Sequence, residues 1–467
     1  MATTAIPSEV SDDLRNRLAS LLDSSRTQIA TAIQRTGHPF TMPQIRQTVQ
    51  ANEEGTGWNT QQVTEETNIL SMMVPLAFPE VLEGWLADAR VLAADLAETF
   101  GDHYPLANIM PPAGLDLVGI AHAEFDPDDL AQKALGYGIL APARWYLTHL
   151  KSVGEPDSEL AARVASEAID LLATGRIRAR RSVALEGLRP DADPLVVGDY
   201  RLRALTPLER GSFVERIEPS QGLQYLAGLP TMSAPAHVLE VDQDVPVPRE
   251  IGVLPIPKIL TALQLHQIDL AGPGILATQA LPPWASFGIS MRPIPIRSDP
   301  IVSRTITRTQ FEEACRTAVL LERYHLDSPD RPSELALHRF TLGCGRIDAS
   351  DALLDFAIAL EALLLPYDRE TRSADLSYRF RVHGALFITD SHLERRSIFR
   401  ALRTLYDFRS RLVHGADYPE PTELLAAASD AKRLAAGGLL KAVRNGFPDA
   451  AEFGRMVLGE TPTPVAG

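Results

Sequence analysis

Apolar residues recur at i, i+4, i+7 and i+8 toward both ends of the chain and alternate in between, which predicts helices, then strands, then helices. Near the start, Leu14, Leu18, Leu21 and Leu22 form one stripe ahead of a stop at Gly37. Val81, Leu82, Trp85, Leu86, Leu92, Leu96 and Phe100 form a second before Gly101. Leu160, Val164, Ile169 and Leu172 form a third before Gly175. These are core-facing amphipathic helices, and His38, His103, His122 and His149 lie scattered among them without metal-ligand spacing.

Between Val183 and Pro300 the texture changes. That segment holds 16 of the 35 prolines, and Phe287, Ile289 and Met291 alternate, as do Ile294 and Ile296. Prolines at this density confine strands to short edges and bends, which predicts a small irregular β-containing region. From Thr309 the helical spacing returns, opened by the capping-box order Thr309, Gln310, Phe311, Glu312. Further helices are expected at about 332–342, 350–365, 373–389, 392–414 and 420–445, with Pro366 and Gly415 as stops.

A chain of 467 residues exceeds one ordinary core, so a multidomain, mostly α fold is expected. The pattern divides it into a helical N-terminal region (1–182), a Pro-rich β-containing region (183–305), a C-terminal all-α bundle (306–450) and a flexible tail (451–467). No internal repeat is visible. The composition, 45% hydrophobic and 22% charged, is that of a soluble globular protein. Two cysteines, Cys315 and Cys344, fit neither a disulfide framework nor a zinc site, which points to the cytoplasm. The start, MATTAIPSEVSDDLRNRL, lacks the basic and apolar blocks of a signal peptide. The longest apolar run, LLDFAIALEALLLP, is broken by Asp355 and Glu361 and is too short to span a bilayer. No membrane association is expected.

Net charge is −15, which argues against coating nucleic acid by bulk electrostatics. The average hides an asymmetry, because Arg369 to His414 contains ten arginines, no lysine and five acidic residues. Solvated helix faces and an anion-binding surface both account for this stretch. No phosphate-loop motif is present, and Gly343-Cys344-Gly345 lacks the third glycine and preceding strand of a dinucleotide site. His383, Asp390 and His392 straddle a helix break and make a poor metal set, so no metal or cofactor is expected.

Arg409 is the oddly placed residue. On a helix from Ile398, the residues Ile398, Leu402, Leu405, Leu412 and Val413 share one apolar stripe, and Arg409 falls in its middle. Glu361 does the same among Leu354, Ile358 and Leu365. A charge on an apolar face needs a partner, so the two are expected to pair. A pair that only positions two helices explains both charges as well as a catalytic site does. His414, in a last turn before glycine, also has the simple role of a C-terminal cap, and five residues set it about 140° from Arg409 on an ideal helix. Both face one cleft only if the last turn loosens or a second chain closes over it.

Three ordered segments carry a resemblance: FAIALEALLLP (356–366), LSYRFRVHGALFI (376–388) and LYDFRSRLVHG (405–415). Together they resemble the Apea-like branch of the HEPN superfamily, the "higher eukaryotes and prokaryotes nucleotide-binding" domains, over about residues 310–445. The stretch VVGDYRLRALTPLE (196–209) resembles the region upstream of such domains.

The resemblance implies an all-α bundle, commonly dimeric, with an Arg-x4-6-His ribonuclease motif that needs no metal. Arg409 and His414 would be its catalytic pair, supported by Glu361, Ser410 and Tyr406, with Arg379, Arg381 and Arg411 binding RNA. Ser410 stands where other members often carry Asn, Asp or His. Histidine suits proton transfer, with an ordinary pKa of about 6.5, and arginine suits the phosphoryl charge. The implied protein is an RNase effector of a bacterial antiphage defence or stress system. It would be a homodimer, with residues 1–300 sensing a phage or regulatory partner. A non-catalytic RNA- or nucleotide-binding module, or a dimerising adaptor, stands as the alternative.

Overall fold

The computed structural model describes residues 8–36, 41–51, 58–68, 79–100, 129–150, 155–210, 236–246, 256–272, 274–281, 290–294, 296, 304–366, 376–414 and 420–460. The first part is helical, with α1 (Ser8–Thr36), α2 (Pro79–Phe100), α3 (Leu130–Lys133), a π-helical turn (Ala134–Leu140), α4 (Ala141–His149) and α5 (Ser158–Thr174). Leu14, Leu18, Leu21 and Leu22 meet Trp85, Leu92, Leu96, Val164, Ile169 and Leu172 in one core. The indole of Trp85 also donates to the Leu21 carbonyl at 3.0 Å. Gly175 ends α5 in the left-handed conformation, φ 63°, which its missing Cβ allows. The stops expected at Gly37, Gly101 and Gly415 lie outside the described residues.

Two corrections fall in this region. An antiparallel hairpin, β1 (Thr41–Ala51) with β2 (Trp58–Asn68), interrupts what the pattern gives as purely helical. Its strands are rich in Thr and Gln with few large apolar residues, so they carry no stripe of either period strong enough to read. The boundary at 182/183 is also misplaced, because β3 (Arg176–Leu185) runs through it.

After β3 come β4 (Leu188–Pro190), β5 (Leu195–Val197), β6 (Tyr200–Ala204), β7 (His237–Pro246), α6 (Lys258–Leu265), β8 (Ile275–Leu281), β9 (Ser290–Pro293) and β10 (Arg304–Ile306). Six of these strands form an antiparallel sheet in the order β5-β6-β7-β3-β8-β9, while β10 pairs β4 in parallel. Prolines sit at strand ends here, where no ladder bond is lost. The two-residue period puts Ile177, Val183, Leu202, Leu239, Val241 and Leu276 on a buried face. The opposite face is an ion-pair ladder. Arg180 grips Asp242 with two 2.7 Å bonds, and Arg203 bridges Glu240 and Glu209 at 2.8 and 2.7 Å. Hydrogen bonding from Arg203 holds the Glu209 carboxyl down to about 2. Of the alternating apolar residues, Phe287 and Ile289 lie outside the described residues, Met291 is in β9, and Ile294 and Ile296 are buried.

The C-terminal helices are α7 (Arg308–Leu321), α8 (Pro332–Gly345), α9 (Ala349–Leu364), α10 (Leu376–Phe387), α11 (His392–His414), α12 (Pro421–Asn445) and α13 (Ala450–Leu458). Their bounds follow the expected ones closely, with three differences. The capping box is Thr307 with Gln310, two residues upstream of the expected one, because Thr307 is the last residue with extended backbone. Gly343-Cys344-Gly345 lies within the end of α8, where Gly343 lets the Phe356 ring approach. Residues 450–458 are no flexible tail: they form α13, which buries Phe453 against His383 and Phe387. One apolar cluster runs from Val183 through Ile306 to Phe453, so the sheet and the bundle share a core across the expected boundary at 305/306. No helix among the described residues is long and apolar enough to cross a membrane.

Candidate functional site

Helix α9 is apolar almost all round, and this relocates its core face. Leu353, Phe356, Leu360, Leu363 and Leu364 are buried, whereas Leu354, Ile358, Glu361 and Leu365 line a half-buried margin rather than the core stripe that spacing suggests. Glu361 on that margin faces α11, where Arg409 Nε lies 3.4 Å from its Oε1. The two oppositely charged residues thus come together. Burial pushes the Glu361 carboxyl above its ordinary range, and the Arg409 charge opposes that shift. The pair sits at the protein surface margin, 31% and 24% exposed, so the guanidinium is anchored and still reachable.

Helix α11 presents two faces. Ile398, Leu402 and Leu405 are buried and lead to Arg409 and the half-buried Leu412, while Val413 is exposed and leaves the stripe. Arg396, Arg400 and Arg403 are exposed at i, i+4 and i+7, which aligns them along the outer face. His414 is exposed as well, and at about 100° per residue it belongs to this arginine line rather than to the Arg409 side. The helix stays regular through His414, so the last turn does not loosen to swing the imidazole toward Arg409 within one chain. His414 is a basic residue in the last turn of the helix.

The supporting residues distribute as follows. Tyr406 is half-buried with its ring 5.9 Å from Phe380, tying α11 to α10, and Ser410 is half-buried beside Arg409 in sequence. Arg381 donates to the Ser377 carbonyl at 2.9 Å and lies over the Phe399 ring at 5.1 Å, which commits it to packing. Arg379 is half-buried, and Arg411 lies 5.6 Å over Phe408. On the helix wheel Arg411, two residues on, lies about 160° from Arg409. The line Arg396, Arg400, Arg403 is the more accessible cationic feature, and its i, i+4, i+7 spacing was the signal that could have singled it out.

Sequence reasoning also missed Asp355, read only as a break in an apolar run. It is buried and accepts hydrogen bonds from Arg339 Nη1 at 3.0 Å and Arg346 Nε at 2.8 Å, linking α8 to α9. His383 is buried, with Nδ1 2.7 Å from the Leu364 carbonyl and its ring stacked on Phe453, while Asp390 pairs with Lys441 at 2.8 Å. Neither points to a shared metal with His392, and no group of three potential metal ligands occurs among the described residues. No protein family, curated protein or solved structure matches this chain.

Proposed function

We propose that this chain is a metal-independent endoribonuclease of the HEPN type, acting as a homodimer and serving a bacterial antiphage defence or stress response. The reading is carried by one helix, α11, that holds a carboxylate-anchored Arg409, an exposed line of three arginines and an exposed histidine on that line. RNA brings its own nucleophile, the 2′-hydroxyl beside the phosphate. His414 takes or returns a proton, and Arg409 stabilises charge on the phosphoryl oxygens. The 2′-oxygen bonds to phosphorus as the 5′-oxygen leaves, giving a 2′,3′-cyclic phosphate. Since Arg409 and His414 diverge by about 140° on one regular helix, the working pair comes from two chains facing each other across a groove. Residues 1–300 sense the trigger.

The test is end-group analysis of a labelled RNA in EDTA. The expected product ends in a cyclic phosphate, and a strand with 2′-deoxyribose at the cut site resists. His414→Ala lowers the rate by roughly 10²- to 10⁴-fold while much RNA affinity remains. Mixing inactive Arg409→Ala with inactive His414→Ala restores part of the activity through mixed dimers. Salt-dependent binding without turnover assigns the non-catalytic module instead.

A further inference from the structure

We infer that a cavity of about 500 Å³ between α6, β10, α7 and α12 is a binding site for a small phosphate-bearing anion. This reading is independent of the ribonuclease proposal, because none of the residues argued for RNA cleavage lines the cavity, whose polar lining includes Gln267, Arg304, Gln310, Ser429, Lys432 and Arg433. The concavity carries Arg304, Lys432 and Arg433, with Asp269 the one carboxylate on its lining and Asp430 and Glu313 beside it.

The backbone at the rim is unusual. Helix α6 ends with the bonds of a Schellman motif, Ile268 N–H to Leu263 O at 3.0 Å and Gln267 N–H to Gln264 O at 2.9 Å. The position that normally holds glycine is Gln267, at φ 57°. Glycine would serve the turn better, so the side chain at this position has another use, and it lines the cavity. Arg304 Nη1 donates 2.9 Å to the Gln267 carbonyl, fixing an arginine at the same rim.

The donors are available to a ligand. Lys432 pairs with Asp269 and Arg433 with Asp430, but these carboxylates are 51% and 63% exposed. Surface pairs of this kind are weak, and a multiply charged anion displaces them. Gln310 uses its side-chain carbonyl to accept from Thr307 N–H, which leaves its amide N–H groups as donors. Burial lowers the basicity of His266, whose Nε2 lies 2.9 Å from Thr317 Oγ1. Two planar guanidiniums, an ammonium, an amide and a hydroxyl match tetrahedral phosphate oxygens better than a single carboxylate. The volume lies within the range of small-molecule sites.

The probes are inorganic phosphate, inorganic pyrophosphate and AMP, titrated by calorimetry into the full chain at fixed ionic strength. Saturable binding at one site is expected, and the Lys432→Gln/Arg433→Gln variant should lose roughly ten- to a hundred-fold in affinity. Arg304→Gln gives the same direction from a different element, and hydrogen exchange verifies that both variants remain folded. Arg409→Ala should bind pyrophosphate as the wild type does. The inference is overturned by the absence of saturable binding of all three probes, by unchanged affinity in both pocket variants, or by loss in Arg409→Ala alone. A short RNA that competes with pyrophosphate, and whose binding is also lost in the pocket variant, overturns the small-ligand assignment.

Discussion

Replacing Gly384 by alanine tests how α11 is held. Gly384 is where α10 crosses α11, and a Cβ there would lie 2.2 Å from Leu402 Cδ1 and 3.0 Å from Leu364 Cδ1. Ordinary carbon contacts are about 3.5 to 4.0 Å, so something must move by more than an ångström. Leu402 and Leu364 are both fully buried, so the side chain ends that must give way are packed within the core. Overpacking of this kind costs about 1 to 3 kcal/mol. The change also gains about 1 kcal/mol because alanine is the better helix former, so the net loss is about 0 to 2 kcal/mol.

Two further variants separate these terms. Leu402→Ala alone should cost about 2 to 5 kcal/mol through its cavity. In the double variant the Leu402 clash is gone and only the milder Leu364 contact remains, so the Gly384→Ala change costs less than in the parent and the two effects are non-additive. Gly437→Ala supplies the control, because its nearest neighbour, Ile388 Cγ2, is at 4.0 Å and only the propensity gain of about 1 kcal/mol should appear. Hydrogen exchange of α10 and α11 amides across a urea series reports the opening free energy of this unit, which is better defined than one global value for a chain with two large cores. Greater protection in Gly384→Ala, or additivity with Leu402→Ala, would refute the close-crossing argument.

Asp355→Ala removes two charge-assisted hydrogen bonds and should destabilise the α8–α9 pair by about 2 kcal/mol, toward the low end for a buried acceptor because its arginines can rehydrate. Loss of exchange protection confined to those helices is the expected readout. Gln267→Gly should stabilise by about 0.5 to 1 kcal/mol, since the left-handed conformation suits glycine, and a thermal shift would register it. Glu209, with its folded pKa lowered to about 2, contributes stability that is present above the ordinary value of 4.5 and is lost as pH falls through that window. Urea titrations from pH 5 downward should therefore show a shallower acid loss in Glu209→Gln, discounted for the 37% exposure of the carboxylate.

Helix positions were legible where one face is buried and the other is not. The bounds of α11 and the buried residues of α5 follow directly from spacing. The hairpin β1–β2 was not legible, because its strands present few large apolar residues. The ladder of Arg178, Arg180 and Arg203 against Glu240 and Asp242 was equally hidden: alternating charges on one strand look like a solvated edge until a second strand supplies the opposite sign. Helix α13 was misread for a related reason. Nine residues with one deeply buried aromatic, Phe453, carry too little periodicity to distinguish from a tail, and its partner His383 is seventy residues upstream.

The site divides along the same line. Pairing of Glu361 with Arg409 could be anticipated because each charge stands alone among apolar neighbours, and a half-buried charge on such a face needs an opposite one. Glu361 nevertheless lies on the margin of α9 and not on its core face, because α9 buries a different stripe. That displacement matters chemically. A guanidinium held in a closed core could only brace two helices, whereas one anchored at the margin of α11 keeps one side toward solvent. His414, regular in the helix and turned toward the arginine line, then cannot be brought to the same phosphate by its own chain without unwinding the last turn. A shared site therefore asks for a second copy, and a purely structural pair asks for none, so the outcome of mixing the Arg409 and His414 variants decides between a bracing contact and a reacting one.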